Sequence, residues 1–211
     1  ALTASRQGME VEGIDLTPEL INRANENSKI MGLKARFVEG DAEFLPYKEN
    51  EFDIILSQYG HMFAPRPSVV VKELARVLKP GGILAFSTWP KELFMGKFFK
   101  LIESFSQPLS PEVASPVLWG DMAVIEDRLK DDFDHIEFGR DTMFAPTMSP
   151  AHMLKLFEKN AGPLANLVKA LADDPDKLSD LRTSALLLIE RFFSENFLRQ
   201  DFIMTRCIKK A

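Results

Sequence analysis

The feature that most constrains the fold is an alternation of short strand-like and helix-like runs through the first 90 residues, with an acid closing each of the first two strands. Met9 to Asp15 reads as a strand. A helix starts after it: Thr17 is placed to cap, Pro18 suits the first helical position, and Glu19 favours the positive end of the helix dipole. Ile21, Ala24, Ser28 and Met31 share one face of that helix, and Gly32 closes it. Ala35 to Asp41 is a second strand and Phe52 to Ser57 a third. The Ile54-Ile55-Leu56 centre of the third does not alternate with polar residues, which predicts a parallel strand covered on both faces. Ser68 to Leu78 is a helix with Val70, Val71, Leu74 and Leu78 on its apolar side. Lys79-Pro80-Gly81-Gly82 is a turn signal, and Ile83 to Ser87 is a fourth strand. Such alternation with short links predicts an α/β, Rossmann-like doubly wound, mostly parallel sheet with right-handed crossovers. Ligands bind such sheets at the carboxyl ends of the strands, where Asp15, Asp41 and Ser57 fall.

Beyond Pro90 the chain becomes rich in Phe and Met, with prolines at 108, 111 and 116 breaking it. Trp119-Gly120-Asp121 precedes a helix to about Lys130, with Asp121 as its N-cap. Phe133 to Phe144 reads as a strand. Residues 149 to about 199 read as helical, broken near Gly162-Pro163 and Asp173-Asp174-Pro175, and a strand from about Asp201 to Ile208 ends the chain. The expected organisation is a core over 1–90, its sheet completed by 133–145 and 200–211 with an antiparallel last strand. Residues 91–132 and 146–199 then form a helical cap or substrate region. Phe94, Phe98, Phe99, Met143, Phe144, Met148, Met153 and Phe157 suit either a plain helical core or an apolar pocket.

A chain of 211 residues is long enough to bury a full core, and its net charge of −5 presents no general surface for nucleic acid. The lone cysteine, Cys207, rules out a disulfide framework within the chain and, in its apolar strand-like setting, reads as a buried structural thiol. No apolar run approaches the ~18 residues of a membrane span, and no secretory signal is visible. The expected location is the cytoplasm, without a membrane partner. His61, His135 and His152 are scattered without metal-ligand spacing. Ala1 to Gly8 reads as the end of a helix closed by Gly8, so an upstream segment is expected.

An acid at the end of the strand after a glycine loop can accept both hydroxyls of an adenosine ribose, at ~20 residues from the loop. Counting back from Asp15 places such a loop just before Ala1. Asp41 is placed to accept from an adenine amino group, with the N–H of Ala42 beside a ring nitrogen. Taken singly, each acid reads equally well as a cap or a solvated turn.

Val11-Glu-Gly-Ile-Asp-Leu-Thr-Pro-Glu-Leu20, Phe37-Val-Glu-Gly-Asp-Ala-Glu-Phe-Leu-Pro46, Phe52-Asp-Ile-Ile-Leu-Ser57 and Glu73-Leu-Ala-Arg-Val-Leu-Lys-Pro-Gly-Gly82 occur in that order with compatible spacing. Together they resemble successive motifs of class I S-adenosylmethionine-dependent methyltransferases of the ubiquinone/menaquinone-biosynthesis type. The resemblance implies S-adenosyl-L-methionine as cofactor, with Asp15 and the adjoining Leu16 at the ribose and Asp41 with Ala42 at the adenine. It implies that Ser57, Tyr59 and Gly60 line the methionine end. Glu73 and Arg76 are implied to be packing or pairing residues of their helix. The family's first strand and glycine-rich loop are absent from this chain, and that strand belongs at the centre of the sheet.

Methyl transfer needs alignment and exclusion of water, and a base only if the acceptor must lose a proton. His61, just beyond the third strand, is the candidate catalytic group, as a base or an acceptor-orienting residue; a packing histidine is the other reading. Trp119 is either a pocket wall or a core tryptophan. The expected acceptor is a small, partly apolar molecule, and oligomeric state is left open. A nicotinamide-dependent dehydrogenase of the short-chain type would need Tyr-x-x-x-Lys, and neither Tyr47 nor Tyr59 has Lys four residues on. A methyltransferase-like binding module without activity is the remaining alternative.

Overall fold

A computed structural model describes residues 1–108, 110 and 112–211, so the break expected at Pro111 lies outside the described residues. The first 90 residues run α1 (Leu2–Arg6), β1 (Val11–Asp15), α2 (Pro18–Ile30), β2 (Ala35–Glu39), β3 (Phe52–Gln58), α3 (Pro67–Val77) and β4 (Leu78–Thr88). There follow α4 (Phe94–Phe105), α5 (Met122–Leu129), β5 (Phe133–Pro146), α6 (Pro150–Asn160), α7 (Gly162–Ala170), α8 (Pro175–Glu190), β6 (Phe193–Ser194) and β7 (Phe197–Lys209). The fold is α/β with a mostly parallel sheet.

β1 and β2 form a parallel pair, with Val11 opposite Ala35 and Asp15 opposite Glu39. A second sheet runs β3-β4-β7-β5, with β6 paired to β7. Among the described residues no ladder joins β1 to β3. Ile54 and Leu56, on one face of β3, are 43% and 62% exposed. The expectation that β3 is covered on both faces is therefore corrected: among the described residues one face stays open, and β3 pairs only with β4.

The chain divides into two compact units. The first comprises Ala1–Phe86, Arg128–Glu137 and Arg206–Ala211. Here α3 buries Val70, Val71, Leu74 and Val77, a helical period, and Leu84 and Phe86 of β4 are buried as well. Cys207 is fully buried, and its thiol lies 3.7 Å from the Leu84 carbonyl. Burial pushes that thiol up to about 12, which makes it a poor nucleophile. The second unit comprises Ser87–Asp127 and Phe138–Thr205. Phe94 and Phe98 of α4 stack at 5.6 Å, and Phe157 of α6 lies 5.0 Å from Phe98. With Met153 also buried, these helical residues form core. Met143, Phe144 and Met148 are exposed. Trp119, 1% exposed, is a core tryptophan.

Local chemistry explains several element ends. Pro18 opens α2, and the Asp121 carboxylate accepts the Ala123 N–H at 3.1 Å as expected of a cap. Thr17 differs: its side chain makes no capping bond, and its own N–H donates to Asp15. The turn expected over Lys79 to Gly82 is part of β4, which runs unbroken from Leu78 because Gly81, at φ 75°, bends the strand without ending it. The last helical stretch stops at Glu190, and β6 and β7 form a hairpin across Glu195 and Asn196, both at positive φ.

Gly120 permits a close backbone approach in the second unit. A Cβ there would lie 2.1 Å from the Trp89 carbonyl oxygen and 2.6 Å from the Lys91 nitrogen. Both are main-chain atoms, so relief requires moving the end of β4. Gly120→Ala is expected to destabilise the protein by about 1–3 kcal/mol, read as a lower thermal midpoint in calorimetry.

Candidate functional site

The register of β1 on β2 brings the two candidate acids to the same end of one parallel pair, because Asp15 stands opposite Glu39 and Asp41 follows two residues later. Asp15 is half-buried, and its Oδ1 accepts the Thr17 N–H at 2.9 Å. The Asp15 carbonyl accepts the Gly40 N–H at 3.0 Å, so the chain leaving β2 stays tied to the end of β1. Asp41 repeats the device, its Oδ1 accepting the Glu43 N–H at 2.8 Å. Each carboxylate is thus oriented by its own turn and keeps lone pairs for a ligand. Ala42 is half-buried between Asp41 and the clamp described next. Leu16 and Phe44 hold large apolar side chains 68% and 79% exposed beside the two acids.

Two ion pairs fix the loop that carries Asp41. The Glu43 carboxylate accepts the Arg66 Nε at 2.8 Å and Nη2 at 2.6 Å, and also the Arg66 backbone N–H at 2.6 Å. The Arg66 hydrogen bond holds the Glu43 carboxyl below its usual range, against the opposing effect of burial. Glu73 accepts the Leu45 N–H at 2.8 Å and the Arg76 Nε at 2.6 Å. Arg76 in turn donates to the carbonyls of Tyr47 at 2.7 Å and Leu45 at 3.0 Å. Glu73 and Arg76 are therefore pairing residues of α3, as expected, and also the anchor of the loop after β2, which was not. The Glu43–Arg66 pair was missed, because partners 23 residues apart leave no periodic signal.

A second group forms at the exit of β3. Ser57 Oγ and His61 Nδ1 lie 2.9 Å apart, and the His61 N–H donates to the same Oγ at 3.3 Å. Between them Tyr59 adopts φ 63°, a left-handed conformation that costs a side chain roughly 1–3 kcal/mol and tends to mark functional turns. The carbonyl of exposed Gly60 accepts the Phe63 N–H at 3.2 Å. His61 is 3% exposed and meets the Phe86 ring at 4.5 Å. Burial, with a smaller contribution from the Arg128 charge, lowers its imidazole to about 3. The candidate residues thus fall into two local groups: Asp15, Leu16, Asp41 and Ala42 at the β1–β2 pair, and Ser57, Tyr59, Gly60 and His61 in one turn after β3.

Residues 1–86 match a family model described as a methyltransferase domain. An uncharacterized protein of Mycobacterium tuberculosis is 29% identical over 205 residues, 97% of this chain and 75% of the relative. A 2-methyl-6-phytyl-1,4-hydroquinone methyltransferase from Synechocystis is 35% identical over 88 residues, 42% of this chain and 27% of that protein. Among solved structures, the phosphoethanolamine N-methyltransferase 2 of Haemonchus contortus in complex with S-adenosyl-L-methionine has a TM-score of 0.59 at 17% identity, covering 100% of this chain and 46% of that one.

The buried imidazole links the site to acid stability. In the folded protein it titrates near 3, against 6.5 ordinarily. Between these values the unfolded chain takes up a proton that the folded one does not, so acid favours unfolding. The contribution is complete above pH 6.5 and falls by about 1 kcal/mol per pH unit below it. Urea unfolding at about pH 7 and pH 5.5, where carboxylates stay ionised, should show a loss in the wild type and a smaller one in His61→Asn.

Proposed function

We propose that this chain is a class I S-adenosylmethionine-dependent methyltransferase and that it methylates a small, partly apolar acceptor by in-line displacement. The observation that carries the reading is the pairing of Asp15 and Asp41 at one end of a parallel strand pair, inside the residues that match the methyltransferase domain. An acceptor-only carboxylate held by its own turn suits a ribose diol, and Asp15 is such a group. Asp41 and the N–H of Ala42 suit an adenine edge, and exposed Leu16 and Phe44 offer apolar faces beside it. Ser57, Tyr59 and Gly60 would hold the methionine end. When bound, the cofactor supplies a methyl group already activated on a sulfonium sulfur. The protein's own task is then to orient the acceptor and keep water out.

No obligatory base is required by this chemistry, and the surroundings of His61 suit positioning better than proton transfer. An imidazole near 3 is too weak a base for work at neutral pH, where an efficient base titrates close to the ambient value. Its bond to Ser57 instead holds the turn that carries Tyr59 and Gly60. An acceptor with apolar character agrees with the prenylated quinol named for the Synechocystis relative.

Calorimetry with S-adenosylhomocysteine on the full reading frame that contains this chain tests the proposal. The nucleoside is expected to bind, and Asp15→Ala to weaken it by at least tenfold, since two hydrogen bonds to a charged acceptor are lost. Binding unchanged by Asp15→Ala, or no binding to the unsubstituted protein, would refute it.

A further inference from the structure

The second unit contains a cleft of about 380 Å³, open to solvent on one side, that the methyl-transfer reading does not use. Its size lies within the range of small-ligand pockets, ~300–1,000 Å³. Phe144, Phe192, Phe193 and Phe197 supply most of an aromatic wall, and Phe144 and Phe197 meet edge-on at 6.3 Å. The hairpin holds this wall in place. Phe193 pairs with Leu198 and Ser194 with Phe197, while the Arg199 N–H donates to the Phe192 carbonyl at 2.9 Å. The Thr147 N–H ties the tip down by donating to the Asn196 carbonyl at 2.8 Å.

The charges in the wall do not cancel. Arg199 forks onto Asp201, with Nε 3.0 and 3.1 Å from the two carboxylate oxygens and Nη2 2.6 Å from Oδ1. Thr142 Oγ1 also donates to Asp201 Oδ1 at 2.7 Å. That pair is internally neutral. Arg191 also lines the cleft and has no ion-pair partner among the described residues, which leaves one uncompensated guanidinium beside four phenyl rings. Rings offer apolar area and edge-on contacts, while a guanidinium offers a fork of donors matched to a carboxylate.

We propose that this cleft binds an amphipathic monocarboxylate, with its aryl or acyl tail against the phenylalanines and its carboxylate on Arg191. The assignment stands apart from methyl transfer, because binding is measured with no nucleoside present.

The probes are 4-phenylbutyrate and octanoate, titrated calorimetrically into the full chain, with 4-phenylbutan-1-ol and 4-phenylbutylamine as uncharged and cationic counterparts. At least one acid is expected to bind, and more tightly than the alcohol, with the amine weakest. A tighter phenylbutyrate identifies an aryl tail and a tighter octanoate an acyl tail, either of which supports the site. Arg191→Gln is expected to weaken the acid about tenfold and leave the alcohol unchanged. Asp201→Asn releases Arg199 and is expected to tighten the acid, an outcome that damage to the fold would not produce. Circular dichroism confirms folding of both variants. Failure of both acids to bind, equal binding of acid and alcohol, or an acid affinity indifferent to Arg191→Gln would overturn the proposal.

Discussion

Two arginine–carboxylate pairs govern the loop between β2 and β3 in the first unit. The segment between β2 and β3 has little regular structure, so its main-chain groups need partners from elsewhere. Glu73 and Arg76 of α3 take the Leu45 N–H and the Leu45 and Tyr47 carbonyls, and Glu43 closes on Arg66 just ahead of the same helix. Asp41 is positioned because the residues after it are bound in this way. A loop held by charged hydrogen bonds keeps a carboxylate oriented where an unbound loop would let it swing. The cost of ordering the loop is met by Glu43, Arg66, Glu73 and Arg76 rather than by Asp41 itself.

The turn after β3 works by a different principle. Its polar atoms are directed inward: Ser57 Oγ is occupied by both the ring and the N–H of His61, and the ring itself is packed on Phe86. Burial keeps the imidazole neutral, so it adds rigidity without adding charge. The turn also carries exposed Gly60 and half-buried Tyr59, whose left-handed φ is a local cost maintained by the surrounding contacts. A turn built in this way supplies a fixed shape rather than a group ready to exchange protons.

Much of this was legible in local sequence. The strand-end acids Asp15 and Asp41, the proline opening α2, the apolar face of α3 and the Asp121 cap depend on residues a few positions apart, and short-range patterns report them. Burial of His61 was not legible, because it depends on β4 and on Phe86, 25 residues away. The Glu43–Arg66 clamp was hidden for the same reason. The β6–β7 hairpin escaped because Glu195 and Asn196 adopt positive φ without the glycine that normally marks such a turn. At β4 the failure was of the opposite kind: Lys79-Pro80-Gly81-Gly82 has every mark of a stop, and a strand passes through it. Composition could not reveal the unmatched charge of Arg191 either, since it emerges only when Arg199 folds onto Asp201.

The pairing of β3 has a consequence for the turn that follows it. Among the described residues β3 takes its register from β4 alone. The turn at its exit leans on the same neighbour, because the His61 ring that bonds Ser57 packs on Phe86 of β4. Strand and turn thus share one reference, and a displacement of β4 would carry Ser57, Tyr59 and His61 together rather than pulling them apart.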